Sequence, residues 1–346
     1  MRIGRTGIER EHPVYVIAEI GVNHDGSIER ALLLTDAAAD AGADAVKLQL
    51  FETDLLMSRA AKLAAYQAAA GETDPLAMLR RLELSIDEMA CVIERAHARG
   101  VHAIVTVFSV GLVARAETLA WDAYKSASPD IVNRPLLEAM AETGQPLIVS
   151  TGASTIEEVT RAAAWLDAAR ARLAFLQCVS SYPAPEPGFG GIGAIATATG
   201  LPVGYSDHTP GVETGAEAVS HGACVLEKHL TYDTRAAGPD HAASLEPRAF
   251  AEYVKRAKAA QRVAPSGAGE KQLFDCERDV RTVSRQSVTT ARELPAGHAL
   301  SSDDLTIKRP GTGIEPWRLD GVIGRRLARA VEADAPLSAD DLAHAE

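Results

Sequence analysis

The stretch VYVIAEIGVNHDG, residues 14–26, decides between two ways of building an α/β protein from this chain. Its apolar, β-prone first half predicts a strand at Val14–Gly21 that is buried on both faces, as strands of parallel sheets are. An open dinucleotide-binding sheet would continue with a glycine-rich GxGxxG turn. The strand continues instead with GVNHDG (residues 21–26), which lacks that spacing. The stretch therefore favours a closed barrel.

Seven further β-prone runs follow the first strand, and a helical stretch separates each run from the next. They are Ala45–Leu50, Val101–Phe108, Trp121–Ala127, Pro146–Thr151, Arg172–Val179, Pro202–Asp207 and Cys224–Leu230. Gly42, Gly100 and Gly144 stand where helices should end before the next strand. Eight strands that are each followed by a helix, in about 250 residues, predict an α/β protein with a (β/α)8 TIM barrel.

Local signals also mark two helix starts and one insertion. Ser85 with Glu88, and Ser154 with Glu157, fit the capping box, in which both side chains satisfy free amides at a helix start. The region Ala60–Leu82 is long and is interrupted by a glycine and a proline. We therefore expect an insertion in that part of the barrel.

The composition changes after the last helix of the predicted barrel. The run APSGAG (residues 264–269) is typical of a linker. Short β-like runs follow at Ser287–Thr290, Leu305–Lys308 and Val331. The predicted units are a barrel at 13–264, a linker at 265–283 and a small β-rich domain at 284–346. A domain of about 60 residues is marginal alone, so we expect it to pack on another part of the protein.

Composition and charge exclude several classes of protein. The 346 residues are 47% hydrophobic and 24% charged, which excludes a disordered chain. The formal charge is 35 − 47 = −12, so we expect no nucleic acid partner, because phosphate-backbone binders carry a basic face. We expect no membrane contact, because the sequence shows neither an apolar run of about 20 residues nor an apolar signal core.

The cysteines favour a reducing compartment. They are Cys91, Cys178, Cys224 and Cys276. They lie far apart and form no CxxC pair, which predicts free thiols in a cytoplasmic protein.

Polar residues collect at the carboxyl ends of the predicted strands, where a barrel enzyme holds its reactive groups. Buried polar groups are costly unless they are paired or used, so their presence on seven of the eight strands predicts a site. They include Glu19, Asn23, Lys47, Gln49, Lys125, Ser128, Asp130, Ser150, Gln177, Ser180, Tyr182, Ser206, His208, Glu227 and His229.

Lys47 and Lys125 stand in apolar frames, AVKLQL and WDAYKSA, that should be buried strands. A lone lysine in a strand is more often an edge or surface charge. Two buried ammonium groups, however, require an anion. Together with the hydroxyls of Ser150 and Ser206 they predict a cradle for a phosphate or a carboxylate.

His208 and His229 end two neighbouring strands of the predicted barrel. Each alone is more often a hydrogen-bonded core histidine than a metal ligand. As a pair they could share one divalent cation that keeps open positions for water and substrate. Such a site suits Mn²⁺, with Mg²⁺ and Co²⁺ as alternatives, better than a closed structural zinc site.

Several motifs, in order along nearly the whole chain, resemble the sialic acid synthase family, the phosphoenolpyruvate-dependent nonulosonate synthases that include legionaminic and pseudaminic acid synthases. They are IAEIGVNHDGS (17–27), DAVKLQLF (44–51), YKSASPDIVNRPLLEAM (124–140), LIVSTGAS (147–154), YPAP (182–185), GYSDHTPG (204–211), LEKHLTYD (226–233) and GPDHAASLEP (238–247). The stretch RELPAGHALSSDDLTIKRPGTG (292–313) resembles the family's antifreeze-like (SAF) domain.

The resemblance implies that phosphoenolpyruvate condenses with the aldehyde of an N-acetylated amino sugar such as N-acetylmannosamine. The products would be a nonulosonic acid and phosphate. The resemblance also implies a domain-swapped homodimer, in which Arg309 of the small domain reaches a neighbouring subunit's site.

The resemblance assigns roles to residues that match the family's motifs. His208 and His229 would bind the metal, while Glu19 and Asp240 would contact the sugar. The residues expected to hold substrate are Lys47, Gln49, Lys125, Ser128, Ser150, Ser180, Tyr182, Ser206 and Arg309. Glu19, Asp130 and Asp240 are the candidates for moving protons, and the sequence does not rank them.

This chain departs from the family pattern in three places. SASPD (126–130) replaces the usual glycine-serine-glycine-acid run, with Asp130 in the acid position, and Ser180 replaces the usual asparagine before YP. The insertion around Gly71–Leu82 shows no clear counterpart of the asparagine that some members use on the sugar. Two alternatives stay open. One is a related synthase that uses a different or phosphorylated aldose, for which Arg80, Arg81 and Arg134 are candidate phosphate ligands. The other is a non-catalytic sugar-binding barrel, which the costly buried histidines and lysines argue against.

Overall fold

The computed structural model describes residues 1–8, 12–264 and 269–343. Within these residues, eight parallel strands close into a barrel in which the last strand pairs with the first. Following the two short N-terminal strands β1 (Arg2–Ile3) and β2 (Thr6–Gly7), the barrel strands are β3 (Tyr15–Glu19), β4 (Ala45–Leu50), β5 (His102–Val107), β6 (Ala123–Ser126), β7 (Leu147–Ser150), β8 (Leu173–Cys178), β9 (Val203–Asp207) and β10 (Val225–His229). The predicted TIM barrel is confirmed, and each strand lies within its predicted run.

The helices cover the outside of the barrel. They are α1 (Ile28–Asp40), α5 (Ile86–Ala98), α6 (Val110–Ala116), α7 (Arg134–Glu142), α8 (Ile156–Trp165), α9 (Gly190–Thr199), α10 (Thr214–Ser220) and α11 (Pro247–Ala259). Gly42, Gly100 and Gly144 have φ values of 81°, 74° and 79°, the left-handed conformation that ends a helix before the next strand. The capping box predicted at Ser154 and Glu157 is shifted by one residue. Thr155 caps α8 instead and pairs with Glu158.

The two faces of the barrel strands pack against different apolar layers. Side chains such as Ile104 and Ile148 point inward and form a cluster that also contains Ile3 and Ile8. These two isoleucines flank the hairpin β1–β2, so the hairpin closes the amino end of the barrel. The sequence analysis did not predict it, because two-residue strands leave no periodic signal.

The expected insertion is a set of three short helices between β4 and α5. They are α2 (Thr53–Leu56), α3 (Ala65–Ala69) and α4 (Pro75–Leu82). Leu56, Met78 and Leu82 pack with Phe51 and Phe108 from strand ends in a separate apolar cluster. The insertion therefore forms a wall beside the carboxyl end of the barrel.

A small domain follows the barrel and has its own core, which includes Val288, Leu300 and Leu337. It contains β11 (Ser287–Thr290), β12 (Leu305–Lys308) and α13 (Leu319–Val322), and β11 pairs antiparallel with β12. The helix α12 (Arg278–Ser284) lies in the segment that leads into this domain. The predicted linker begins at 265–268, which lie outside the described residues, and the exact domain boundaries stay predictions. No helix in the ranges 1–8, 12–264 and 269–343 is long and apolar enough to cross a bilayer.

Candidate active site

One cavity lies at the carboxyl ends of the barrel strands, and it collects nearly every residue that the sequence analysis singled out. The predicted residues that line it are Glu19, Lys47, Gln49, Lys125, Ser128, Ser150, Ser180, Tyr182, Ser206, His208, His229, Asp240 and Arg309. Of the residues in the described chain to which a catalytic, substrate-binding or metal-binding role was assigned, only Asp130 is missing from this lining; Asn23 and Gln177, noted at strand ends, are missing from it as well. The strand ends, the insertion and the small domain all contribute to the walls.

A network of buried charges forms the floor of this cavity. Lys47 forms an ion pair with Glu19, and its Nζ lies 3.7 Å from Oε2 of Glu227. Lys125 Nζ donates to Oε1 of Glu227 at 2.8 Å, and the Ser206 hydroxyl donates to the same oxygen at 2.9 Å. Glu227 thus bridges the two lysines across the barrel.

The two floor carboxyl groups differ in their affinity for a proton. Burial alone would raise the pKa of Glu227, but Lys125 and Lys47 together lower it well below its usual range. Burial raises the pKa of Glu19 to about 7, although Lys47 opposes this change. The floor therefore holds two lysines against one firmly ionised carboxylate, Glu227, and one carboxyl group with a raised proton affinity, Glu19, so an anionic substrate can replace these partners of the lysines.

The sequence analysis assigned no role to Glu227, although it noted the residue at a strand end. One signal could have found it: Glu227 and His229 are two residues apart on one strand and so share a face. An acid that faces two buried lysines is the counter-ion that those lysines require in the absence of substrate.

Serine hydroxyls and a glycine form a small cradle beside the floor. The hydroxyls of Ser128 and Ser150 are 3.0 Å apart, and the Gly152 amide donates to Ser128 Oγ at 2.9 Å. A Cβ atom at position 152 would collide with the hydroxyl of Ser180 and lie 3.0 Å from Sγ of Cys178. Only glycine lets the hydroxyls of Ser128 and Ser180 approach the backbone this closely.

His208 and His229 lie together at the edge of the cavity, with ring centroids 5.5 Å apart. Nδ1 of His208 donates to the Val179 carbonyl oxygen at 2.8 Å, which leaves its Nε2 lone pair free for a ligand. Nδ1 of His229 is buried without a hydrogen-bond partner in the described chain, 3.7 Å from Oδ2 of Asp240. The free Nε2 position of His208 and the unpartnered nitrogen of His229 fit a divalent metal.

The described residues contain no group of three or more His, Cys, Asp or Glu side chains arranged to hold a metal. A metal at the histidine pair would therefore have only two imidazole ligands from the described chain. Its remaining positions would be available to water and substrate, which is the pattern of a catalytic site rather than a structural one.

The three candidate proton carriers differ in position. Glu19 and Asp240 line the cavity, and burial raises the pKa of Asp240 to about 6. Asp130 lies behind the cavity wall with both carboxylate oxygens buried and, in the described ranges, without a hydrogen-bond partner. Burial raises its pKa to about 7, opposed by Arg309 and Lys125. The structure thus separates Asp130 from the two carboxyl groups that can meet a substrate.

The small domain covers the cavity through Arg309. Its backbone joins the insertion, because Arg309 N donates to Leu56 O at 2.8 Å and Ser58 N donates to Arg309 O at 3.0 Å. The guanidinium lines the cavity 5.5 Å from the ring centre of Phe108. The single chain places Arg309 on its own barrel, and its entry into a neighbouring subunit's site stays a prediction.

The insertion makes the outer wall of the cavity largely apolar, with Leu56, Met78, Leu79 and Leu82 in the lining beside the uncharged polar residues Tyr66 and Gln67. The three arginines considered as ligands for a phosphorylated sugar do not line it. They form surface ion pairs instead, Arg80 with Asp54, Arg81 with Glu72 and Arg134 with Glu138. In the described chain, the cationic side chains of the cavity are Lys47, Lys125 and Arg309.

A closed parallel barrel, a cationic floor at its carboxyl end and a small domain above it define a barrel enzyme that holds an anionic substrate. Comparison with known proteins identifies the family: residues 34–269 match the NeuB family and residues 285–343 match the SAF domain. The chain belongs to the NeuB family of phosphoenolpyruvate-dependent nonulosonic acid synthases and is a transferase that forms C–C bonds.

The similarity to known proteins extends over almost the full chain. It is 36% identical over 335 residues to the N,N'-diacetyllegionaminic acid synthase of Legionella pneumophila, covering 93% of each protein. It is 31% identical over 331 residues to the human N-acetylneuraminate-9-phosphate synthase, covering 94% of this chain and 91% of the relative. The crystal structure of the spore coat polysaccharide biosynthesis protein SpsE from Bacillus subtilis aligns with a TM-score of 0.85 and 28% identity, covering 100% of this chain and 99% of that chain.

Proposed function

We propose that this enzyme condenses phosphoenolpyruvate with the aldehyde of an unphosphorylated N-acetylated amino sugar, similar to N-acetylmannosamine, to give a sialic-type nonulosonic acid and phosphate. The observation that carries this proposal is the cavity floor, where two buried ammonium groups lie beside the serine cradle and the histidine pair. Membership in the NeuB family supports the same reaction.

Phosphoenolpyruvate has two anionic groups, and the floor offers two kinds of partner for them. Lys47 and Lys125 would bind the anions as point charges that move away from Glu227 toward the substrate. Ser128, Ser150 and the Gly152 region would donate hydrogen bonds to the phosphate or carboxylate oxygens. Such a site fixes the enol carbon toward the sugar at the mouth.

His208 and His229 would hold one divalent metal, for which we propose Mn²⁺, with Mg²⁺ and Co²⁺ as alternatives. When bound, such an ion supplies Lewis-acid polarisation of the aldehyde oxygen. The pair stands at the edge of the cavity, beside Tyr182, whose ring centre is 4.0 Å from that of His208. The aromatic ring fixes the imidazole plane by packing.

In the proposed reaction the C3 atom of phosphoenolpyruvate forms a bond with the aldehyde carbon, and water adds to C2. The bond between C2 and the phosphate oxygen then breaks, the new C2 hydroxyl gives up its proton as the ketone forms, and inorganic phosphate leaves. The sugar oxygen gains a proton and the water loses one. Glu19 and Asp240 line the cavity and can carry these protons, whereas Asp130 does not reach the lining.

The polarity of the mouth indicates the kind of acceptor. A phosphate on the far end of the sugar would meet Leu56, Met78 and Leu79 in a wall whose polar side chains are the uncharged Tyr66 and Gln67. Arg309 adjoins this wall, whereas the three arginines considered as phosphate ligands form surface ion pairs instead. Burying a phosphate against apolar side chains is unfavourable. A neutral sugar whose distal groups are N-acyl or alkyl suits this wall better.

We also propose that two copies of the chain form a dimer in which the small domains are exchanged. Residues 269–343 would then make on the partner barrel the same contacts that they make on their own barrel in the single chain. We place the enzyme in the cytoplasm, since the four cysteines are all free thiols.

The decisive experiment is a phosphate-release assay with phosphoenolpyruvate and a panel of sugars. The panel should include N-acetylmannosamine, its 6-phosphate and a 2,4-diacetamido sugar. We expect release with unphosphorylated N-acylated sugars and at least about tenfold lower kcat/KM for the phosphorylated sugar, a difference of ~1.4 kcal/mol. A preference for the phosphorylated sugar would overturn the assignment of the acceptor, and no release with any sugar would overturn the reaction.

A further inference from the structure

A carboxylate from outside the barrel holds two of the loops that form the serine cradle. Glu277 lies at the start of α12 and is fully buried, with 0% of its surface exposed. Its Oε1 atom accepts hydrogen bonds from the amide of Ala153 at 2.7 Å and from the amide of Ser180 at 2.7 Å. Its Oε2 atom accepts from the amide of Phe274 at 3.0 Å, which fixes the side chain on its own segment.

The two barrel amides belong to the loops after β7 and β8. Ala153 follows Ser150 and Gly152, and Ser180 lies in the same short loop as Tyr182. One oxygen atom shared by both amides therefore sets the distance between the two loops. That distance decides whether the hydroxyls of Ser128, Ser150 and Ser180 can converge around Gly152.

The Ala153 peptide is held on both sides by the segment that leads into the small domain. Its amide donates to Glu277, while its carbonyl oxygen accepts from Arg281 at 2.5 Å and from Arg285 at 3.1 Å. Ala153 also has a φ of 52°, a left-handed conformation that is unfavourable for a residue with a side chain. Such a conformation persists only where the surroundings hold it.

We propose that Glu277 is a positioning residue for phosphoenolpyruvate. Because it holds the loops at Ala153 and Ser180 together, the geometry of the serine cradle depends on the contact of segment 269–285 with the barrel. The proposal rests on the function proposed above. Because such coupling is reciprocal, bound phosphoenolpyruvate also holds this segment on the barrel. The small domain thus acts on the substrate site through a carboxylate as well as through Arg309.

The length and the charge of the side chain can be tested separately. Glu277→Gln keeps an oxygen at the same reach, so it can still accept from both barrel amides, and it loses only the acceptor for the Phe274 amide in its own segment. Glu277→Asp keeps the charge but is one methylene too short to bridge them. Asp275→Ala is the matched control, because Asp275 lies in the same segment and makes only an exposed ion pair with Arg278.

Calorimetric binding of phosphoenolpyruvate without sugar is the first measurement. We expect Kd to rise at least about tenfold in Glu277→Asp and Glu277→Ala, less than about threefold in Glu277→Gln, and not at all in Asp275→Ala. The KM for the sugar should change far less than that for phosphoenolpyruvate. Hydrogen exchange of the loops around Ala153 and Ser180 should accelerate in the Asp and Ala variants.

Unchanged phosphoenolpyruvate binding in Glu277→Ala, with a folded barrel, would overturn the proposal. A stronger defect in Gln than in Asp would also overturn it, because charge rather than reach would then matter. If the parent enzyme binds phosphoenolpyruvate but releases no phosphate with any sugar, the proposed function fails while the positioning role stands on the binding data. If the parent does not bind it, both fail.

Discussion

Replacing Lys125 by methionine should separate substrate binding from stability, because this lysine has a partner in the unliganded protein. Its ammonium is 2.8 Å from Oε1 of Glu227, and both side chains are at most 7% exposed. Methionine fills a similar volume without a charge. After the substitution, Glu227 retains the hydrogen bond from the Ser206 hydroxyl and the more distant charge of Lys47, whose Nζ lies 3.7 Å away.

The substitution should weaken the binding of phosphoenolpyruvate and should also lower the free energy of unfolding. Removing one partner of a buried ion pair costs about 3–5 kcal/mol, because the remaining charge is buried without compensation. The same loss in substrate binding corresponds to a decrease of roughly 10²- to 10³-fold or somewhat more in kcat/KM for phosphoenolpyruvate. The apparent affinity for the sugar should change far less, because Lys125 lies on the floor and the sugar enters from the mouth.

The double variant Lys125→Met/Glu227→Gln is the matched control. It removes the unpaired carboxylate, so the free energy of unfolding should return toward that of the parent, while phosphoenolpyruvate use should stay low. Urea unfolding and steady-state kinetics with each substrate varied in turn provide the two measurements. Parent-like phosphoenolpyruvate kinetics in Lys125→Met would refute the anion-binding role. Recovery of those kinetics in the stable double variant would show that the single variant had only lost its fold.

Three further predictions concern the metal, Asp130 and the small domain. Chelation should abolish phosphate release and Mn²⁺ should restore it, and full activity of exhaustively chelated His208→Ala enzyme would exclude the metal. Asp130 has a folded pKa of about 7 against an ordinary value of 3.8, so the stability that its protonated form contributes is lost as pH rises through 7. Asp130→Asn should therefore gain up to about 4 kcal/mol relative to the parent between pH 4 and pH 8 in urea unfolding, and a pH-independent difference would contradict the raised pKa. Mixing inactive Arg309→Ala protein with inactive His208→Ala protein should recover activity, because exchange of the small domains gives one site both residues. No recovery after verified subunit exchange would show that each small domain covers the barrel of its own chain.

The sequence alone determined the barrel and most of the membership of its candidate site. Strand runs and helix-ending glycines are local signals, and Gly42, Gly100 and Gly144 indeed take the left-handed conformation. A parallel barrel brings the carboxyl ends of all its strands to one side. Residues that end different strands, such as Lys47 and His229, therefore had to meet even though they are far apart in sequence.

Only the tertiary structure decided how those residues are paired and which of them face a substrate. Glu227 bridges both lysines, Asp130 lies behind the wall, and Glu277 reaches two loops more than 90 positions away. The packing of the hairpin β1–β2 under the barrel and the contact of Arg309 with the insertion likewise join residues that are far apart in sequence. Such contacts depend on the distances between side chains and on their burial after folding, and no local pattern of residues encodes either quantity. An acid in a given strand motif can therefore be a counter-ion, a proton carrier or a residue that holds two loops together.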